Sequence, residues 1–306
     1  MSLKSQLYDA AKKCSRSTDT LAAKQKTVRE FVRLMKLRNI QIRRAAKIRQ
    51  KFLVMYGEYL QQRVSEGEIQ PRTAINRLSH MRTIMRELGR SRIADCDALH
   101  NRAFGLSGVS RKGTNQPIKE SDLQAACRNV PENIAAALLL QRALGLRLKE
   151  AVMGGNREQL LRWHRDLTCT NKVFIGKGTK GGRARVAYFL STHMWRRALW
   201  AVKNALIVLD CLGCKNLIAG ANYGLKSALG SYRHYLKKAG LTRRGLGVTS
   251  HSLRYAFTQE CVDVLIGDGF TRSQALALTS TFLGHGDGRG VWVNSVYLQN
   301  KRVDRP

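Results

Sequence analysis

Acidic residues are scarce in this chain. Its 306 residues include 54 Lys and Arg but only 21 Asp and Glu, a formal net charge of +33. A field of that sign attracts polyanions and steers them in quickly. Nucleic acid is the leading partner, because each phosphate neutralised by Lys or Arg releases a condensed counterion. An anionic membrane surface would want one basic amphipathic helix or a polybasic tail. Here the basic residues are spread along the whole chain, which favours a groove or a large footprint. Long apolar runs are also missing. The longest, Ile134 to Leu140, is far too short to cross a bilayer, and Met1 to Leu7 lacks the apolar core of a secretory signal. No membrane partner is expected. The seven Cys are scattered and odd in number. Cys211 and Cys214 form a CxxC with no second pair at metal spacing, so it reads as structural rather than as a zinc or redox site. Neither a metal nor a cofactor is expected, and no internal repeat is seen. A cytoplasmic protein of two domains fits this length and composition.

What is present is mostly helical periodicity. From the capping residues Ser17, Thr18 and Asp19 an amphipathic segment runs to about Leu37, with Leu21, Val28, Phe31, Val32 and Met35 on one face. A second helix is expected over Arg43 to Val64, its stripe being Ile48, Phe52, Tyr56, Tyr59 and Leu60. A third starts at Pro71, a favoured first position, and ends at Gly89. Its polar face carries Arg72, Arg77, Arg82 and Arg86, with no acidic partner at i+4 except Glu87 near the end. These arginines therefore read as unpaired along the helix and as candidate phosphate contacts. The stretch His100 to Pro117 holds four residues of the Gly and Pro type together with Arg111 and Lys112, and reads as a basic linker that itself contacts DNA.

Beyond it, a short helix is expected from Glu120 to Arg128 and a buried one from Ile134 to Leu144, stopped by Gly145. A basic helical piece lies around Gln159 to Arg165. Then comes the only strong strand signal. Two β-prone runs, from Lys172 and from Ala184, flank a glycine-rich turn that contains Lys177, Lys180 and Arg183, and read as a hairpin. Helices follow at His193 to Leu209 and Tyr223 to Ala239. The expected fold is mainly α with a small β-hairpin: an all-helical domain over residues 1–99, a linker over 100–117 and an α+β domain over 118–306.

Six polar anchors punctuate the second domain: Arg147, Lys177, His251, Arg254, His285 and Tyr297. Singly, each has an ordinary explanation. Arg147 could be a helix C-cap charge, Lys177 a solvated turn, His251 an N-cap, His285 a core histidine and Tyr297 a packed aromatic. Jointly they follow one pattern. Gly145-Leu146-Arg147 with Glu150, Gly176-Lys177-Gly178 ahead of Arg183, His251-x-Leu253-Arg254, Leu283-Gly284-His285 and a late Tyr297 resemble the tyrosine recombinase (phage-type integrase) family. The resemblance spans the second domain by motif, and the first domain fits the helical core-binding, SAM-like domain of that family.

The resemblance implies a mobile-element DNA recombinase that cleaves and rejoins duplex DNA through a covalent 3′-phosphotyrosine. The residue types suit that chemistry. A tyrosine hydroxyl, with a pKa of about 10, is a tolerable nucleophile and later a good leaving group, so rejoining needs no ATP. Guanidinium forks match phosphate geometry and stay charged. By the resemblance Arg147 and Arg254 clamp the phosphate, His285 hydrogen-bonds it and Glu150 gives structural support. His251 accepts the proton of Tyr297, and Lys177 gives one to the leaving 5′ oxygen, with Lys180 as the alternative. Tyr255 stands directly after Arg254, where relatives often have His, and is a rival nucleophile in principle. The implied partners are double-stranded DNA, three further copies of the chain on paired sites and accessory DNA-bending proteins, on a bacterial nucleoid. Two other readings remain: a DNA-binding accessory or architectural relative without catalysis, and a strand-nicking enzyme of the type IB topoisomerase kind.

Overall fold

The apolar stripe of Val28, Phe31 and Met35 folds as one twenty-residue helix in the computed structural model, which describes residues 1–108, 116–219, 224–286 and 288–298. The chain divides into two compact units, residues 1–110 and 111–306.

The first unit is helical throughout. Its elements are α1 (Leu3–Lys13), α2 (Thr18–Leu37), α3 (Gln50–Ser65), α4 (Pro71–Glu87) and the single turn α5 (Ser91–Ala94). Ser17 caps α2 by accepting from the Thr20 N–H at 3.2 Å. Helix α1 lies ahead of the periodicity described above. Ser2 caps it, and it buries Leu3, Leu7, Ala10 and Ala11 on one face. Helix α3 starts at Gln50 rather than Arg43. Residues 45–47 make a 3-10 turn, and Ile48 and Arg49 are extended, so α-helical bonding cannot begin before them. Ile48 is still fully buried in the unit's core. Three arginines of α4 have partners outside the helix. Arg77 Nη1 donates to Glu30 Oε1 of α2 at 2.6 Å, Arg82 Nε to the Ala94 carbonyl at 2.9 Å and Arg86 Nε to Asp95 Oδ1 at 2.9 Å. Their acceptors come from other elements, which the i+4 rule does not see. Arg72 is exposed. The expected linker also begins later than His100, because Phe104 and Leu106 are packed in this core. Arg111 and Lys112 lie outside the described residues.

The second unit comprises α6 (Glu120–Arg128), α7 (Glu132–Ala143), α8 (Leu148–Gly154), α9 (Arg157–Cys169), β1 (Lys172–Ile175), β2 (Arg185–Tyr188), α10 (Thr192–Cys211), α11 (Leu225–Lys238), α12 (Ser250–Gly267), α13 (Arg272–Phe282) and a π-helical turn, Val293–Tyr297. Helix α7 is apolar on nearly every side, as buried helices are, and α12 is buried along most of its length with several polar side chains turned inward. Helix α7 packs against α6, α8, α10 and α12, and α12 also packs against α13 and the π turn. The strands pair antiparallel, with Lys172 opposite Tyr188 and Ile175 opposite Arg185. A lone hairpin is marginal in water. This one leans on α9 and α13: Trp163 Nε1 donates to the Phe174 carbonyl at 2.9 Å, and the Tyr188 and Phe282 rings lie 4.9 Å apart. Helix α8 is additional to the sequence reading, and Arg147 opens it as the N-cap residue instead of closing α7. Likewise Thr249, not His251, is the N-cap of α12. Helix α11 is described from Leu225, and Tyr223 lies outside the described residues. No helix among the described residues is long and apolar enough to cross a membrane.

The turn from α7 into α8 depends on Gly145, whose φ is +60°. A Cβ there would stand 2.4 Å from Phe257 Cδ1. Gly269, with φ +87°, has nothing within 4 Å of that position. We expect Gly145→Ala to destabilise by roughly 2–4 kcal/mol, left-handed strain plus overpacking, and Gly269→Ala by only the first term, about 1–2 kcal/mol. Urea unfolding of the two variants measures this, and equal losses would show that Phe257 yields without cost.

Candidate active site

Glu150 sits at the centre of a cluster of charges and is completely buried. As the third residue of α8 it turns back on the helix start, and Oε2 accepts from the Arg147 N–H at 2.9 Å. Oε1 accepts from Arg147 Nη1 at 2.6 Å, Oε2 from Arg185 Nη2 at 2.9 Å, and Arg254 Nη1 lies 3.8 Å away. A carboxylate buried alone would take up a proton. Burial does push Glu150 up, but Arg185, Arg254 and Arg147 outweigh it and hold the group at about 2. Burial, and then the charge of Arg254, bring Arg185 down to about 10, against the pull of Glu150. Three guanidiniums against one carboxylate leave two positive charges in excess.

Arg254 projects from α12 and is fully buried. Its Nη1 donates to the Gly145 carbonyl and its Nη2 to the Leu283 carbonyl, each at 2.6 Å. Arg147 Nη2 donates to the same Leu283 oxygen at 3.2 Å. Both carbonyls follow the last turns of helices, α7 and α13, where backbone oxygens lack helical partners and carry partial negative charge. The ends of two helices are thus pinned by one side chain.

The third N–H of Arg254, on Nε, points to the Tyr297 hydroxyl at 3.3 Å. That hydroxyl is also 3.4 Å from His285 Nε2 and 3.5 Å from His251 Nε2. Tyr297 ends the π-helical turn, and Gln259 Nε2 of α12 donates to its carbonyl at 2.9 Å. Tyr297 thus meets the clamp of its own chain. Tyr255 is buried edge-on to Tyr297, with ring centroids 4.8 Å apart, and also packs against His251. Burial first, and then Arg254 and Arg147, push His251 down to about 4. Its imidazole is neutral near pH 7 and able to take a proton.

Five of the six anchors, Arg147, His251, Arg254, His285 and Tyr297, thus converge. Lys177 does not join them: it is exposed, with Nζ 3.5 Å from Glu158 Oε2 of α9. Lys180 and Arg183 are exposed in the same turn, and Arg183 Nη1 lies 3.1 Å from where a Cβ on Gly286 would stand. Cys211 and Cys214 are exposed free thiols. The residue that the sequence reading passed over is Arg185. Its signal is the two-residue period of β2, in which Arg185 and Ala187 face inward, continued by the buried Phe189 just beyond the strand. An arginine on the inward face of a strand needs a buried acceptor.

A family model described as "Integrase" matches residues 105–260, and one described as "Phage integrase, N-terminal" matches residues 1–94. No curated protein matches the chain. Among solved structures it is similar to a lambda integrase tetramer bound to a Holliday junction, at 16% identity and a TM-score of 0.61, over 100% of this chain and 80% of that one. It is also similar to the Tn1549 transposon integrase in complex with transposon right end DNA, at 12% identity and a TM-score of 0.55, over 94% of this chain and 92% of that one. These likenesses carry the fold, and the family models carry the membership: the chain belongs to the integrase family of tyrosine recombinases.

Proposed function

We propose that this chain cleaves and rejoins duplex DNA at specific sites, with Tyr297 as the nucleophile and the buried clamp as its electrostatic partner. The observation that carries the reading is the two-charge excess beside the Tyr297 hydroxyl. A phosphodiester brings one negative charge. Attack by a tyrosinate oxygen raises that to two on the way to the transition state. A site poised with two positive charges binds the second state better than the first, which is what catalysis requires. In this reading Arg147 and Arg254 hold the phosphate, His285 donates to it, and neutral His251 takes the Tyr297 proton. Lys177, or Lys180, leaves the surface of the hairpin to protonate the 5′ oxygen. The exposed pair of Lys177 with Glu158 contributes little and releases it readily.

The helical domain, residues 1–99, would grip the duplex with Arg72, and the linker with Arg111 and Lys112, while Lys180 and Arg183 meet DNA from the hairpin. Arg77, Arg82 and Arg86 would reach phosphate with the guanidinium N–H groups that their partners in the fold leave over. The similar lambda integrase structure is a tetramer on a Holliday junction. By that likeness we propose a homotetramer on paired sites, acting on a mobile element in the bacterial cytoplasm. Accessory DNA-bending proteins would set the direction of the reaction.

On a nicked suicide duplex the wild type should form a covalent DNA adduct and Tyr297→Phe none; an adduct with Phe would move the nucleophile elsewhere, to Tyr255 first. Because Tyr297 already meets Arg254 of its own chain, a mixture of Tyr297→Phe and Arg254→Ala proteins should not regain cleavage. Regained cleavage would mean that one protomer lends its tyrosine to another. The protonation of His251 can be read directly by NMR of histidine-labelled protein. An ordinary histidine is mostly charged below about pH 6.5. The His251 resonance should stay neutral to about pH 5 and titrate near 4. Since the folded state resists the proton that the unfolded state accepts, this residue's contribution to stability is present above the ordinary histidine range and is lost as pH falls from there toward 4. A midpoint above about 7.5 would leave His251 mostly charged at neutral pH and would remove it as the base.

A further inference from the structure

We infer that Arg185 is a positioning residue that fastens the β1–β2 hairpin to the arginine clamp and thereby sets where the hairpin lysines stand at the leaving oxygen. This rests on the proposal that Lys177 or Lys180 protonates that oxygen.

Arg185 is the first residue of β2, directly after the turn that bears both lysines. Its side chain is 1% exposed and spans three segments at once. Nη1 donates to the Phe282 carbonyl at 3.0 Å, and Nη2 to the Gly145 carbonyl at 3.0 Å and to Glu150 Oε2 at 2.9 Å. Each acceptor belongs to the clamp. Gly145 also accepts from Arg254, Glu150 also accepts from Arg147, and Phe282 adjoins the Leu283 carbonyl that both arginines share.

The other limb of the turn is held to the same place. Gly178 has φ +78°, and a Cβ there would stand 2.7 Å from the Lys149 carbonyl oxygen and 3.0 Å from Glu150 Cα. The turn therefore lies flat on the first turn of α8, next to Lys177. With Arg185 on one side and Gly178 on the other, a turn otherwise rich in glycine is referenced to Glu150 from both limbs. Stability alone does not account for Arg185. A buried ionic network is often no more stable than a well-packed apolar one, and here Glu150 already has two other guanidiniums. Arg185 adds to the positive excess that the site must bear. What it supplies is a fixed distance between the clamp and the lysine-bearing turn.

The chemistry separates this role from a clamp role. In the cleavage step the Tyr297 Oη–P bond forms, the P–O5′ bond breaks, and the lysine proton goes to O5′. If sulfur replaces O5′, the leaving thiolate needs no proton, because a thiol ionises at about 8.5. The test is single-turnover cleavage by the full chain on a nicked suicide duplex, built on the site flanking its own gene, with oxygen or sulfur at the 5′ bridging position. The variants are Arg185→Lys, Gly178→Ala, Lys177→Met and Lys180→Met. Arg185→Lys and Gly178→Ala should lose roughly 100-fold with oxygen, the scale of one general acid, and less than about fivefold with sulfur. One of the two lysine variants should behave the same way. Because Arg185→Lys and Gly178→Ala disturb opposite limbs of the turn, either variant suffices if the other fails to fold, with circular dichroism and DNA mobility shift as the check. Equal losses on oxygen and sulfur, or no loss on oxygen, would overturn the inference. If a lysine variant is rescued by sulfur while Arg185→Lys and Gly178→Ala are not, positioning alone falls. If no lysine variant is rescued, the leaving-group reading falls and this inference with it.

Discussion

A single buried carboxylate organises the second unit. Glu150 can stay ionised without water only because Arg147, Arg185 and Arg254 surround it. Those guanidiniums in turn can be buried only because Glu150 and the helix-end carbonyls of Gly145 and Leu283 accept from them. The dependence is mutual. It ties the end of α7, the start of α8, the strand β2, the middle of α12 and the end of α13 into one network. Each unpaired member would carry a penalty of several kcal/mol, so the network is intact or strongly destabilised.

The same network leaves charge over. Folding alone would favour neutrality, yet the site carries two more positive charges than negative ones. In the proposed reaction that excess would be met by a substrate whose negative charge grows. Burial keeps His251 neutral in the first place, and repulsion from Arg254 and Arg147 adds to it. In the proposed reaction the surplus would hold phosphate, and together with burial it keeps the His251 imidazole neutral. Tyr297 stands over this floor at the end of a π-helical turn, its carbonyl held by Gln259, its hydroxyl by Arg254 and its ring packed on Tyr255. π turns are weaker than α-helix and recur at functional sites.

Much of this was legible in the chain itself. The anchors His251, Arg254, His285 and Tyr297 stand out because polar residues interrupt apolar helical periodicity. The hairpin stands out because its glycine-rich turn joins two β-prone runs. Less legible was every feature that depends on a distant partner. The arginines of α4 read as unpaired because only neighbours along the helix were counted, whereas Glu30 reaches Arg77 from another helix. Arg183 and Arg185 share a face by the two-residue period, and only the distant acceptors Gly145, Glu150 and Phe282 single out Arg185 for burial. Helix α8 escaped notice because seven residues are too few to show a helical period.

The sequence by itself determined which chemical groups are present and in what order, along with the helical character and the strong positive charge. It did so because periodicity, capping and composition are local or additive properties. Only the tertiary structure decided which guanidiniums share Glu150, that Tyr297 reaches Arg254 of its own chain, and that Lys177 rests on Glu158 away from the clamp. Those outcomes turn on contacts between residues far apart in sequence, and on burial that makes a few ångströms decisive for a charge.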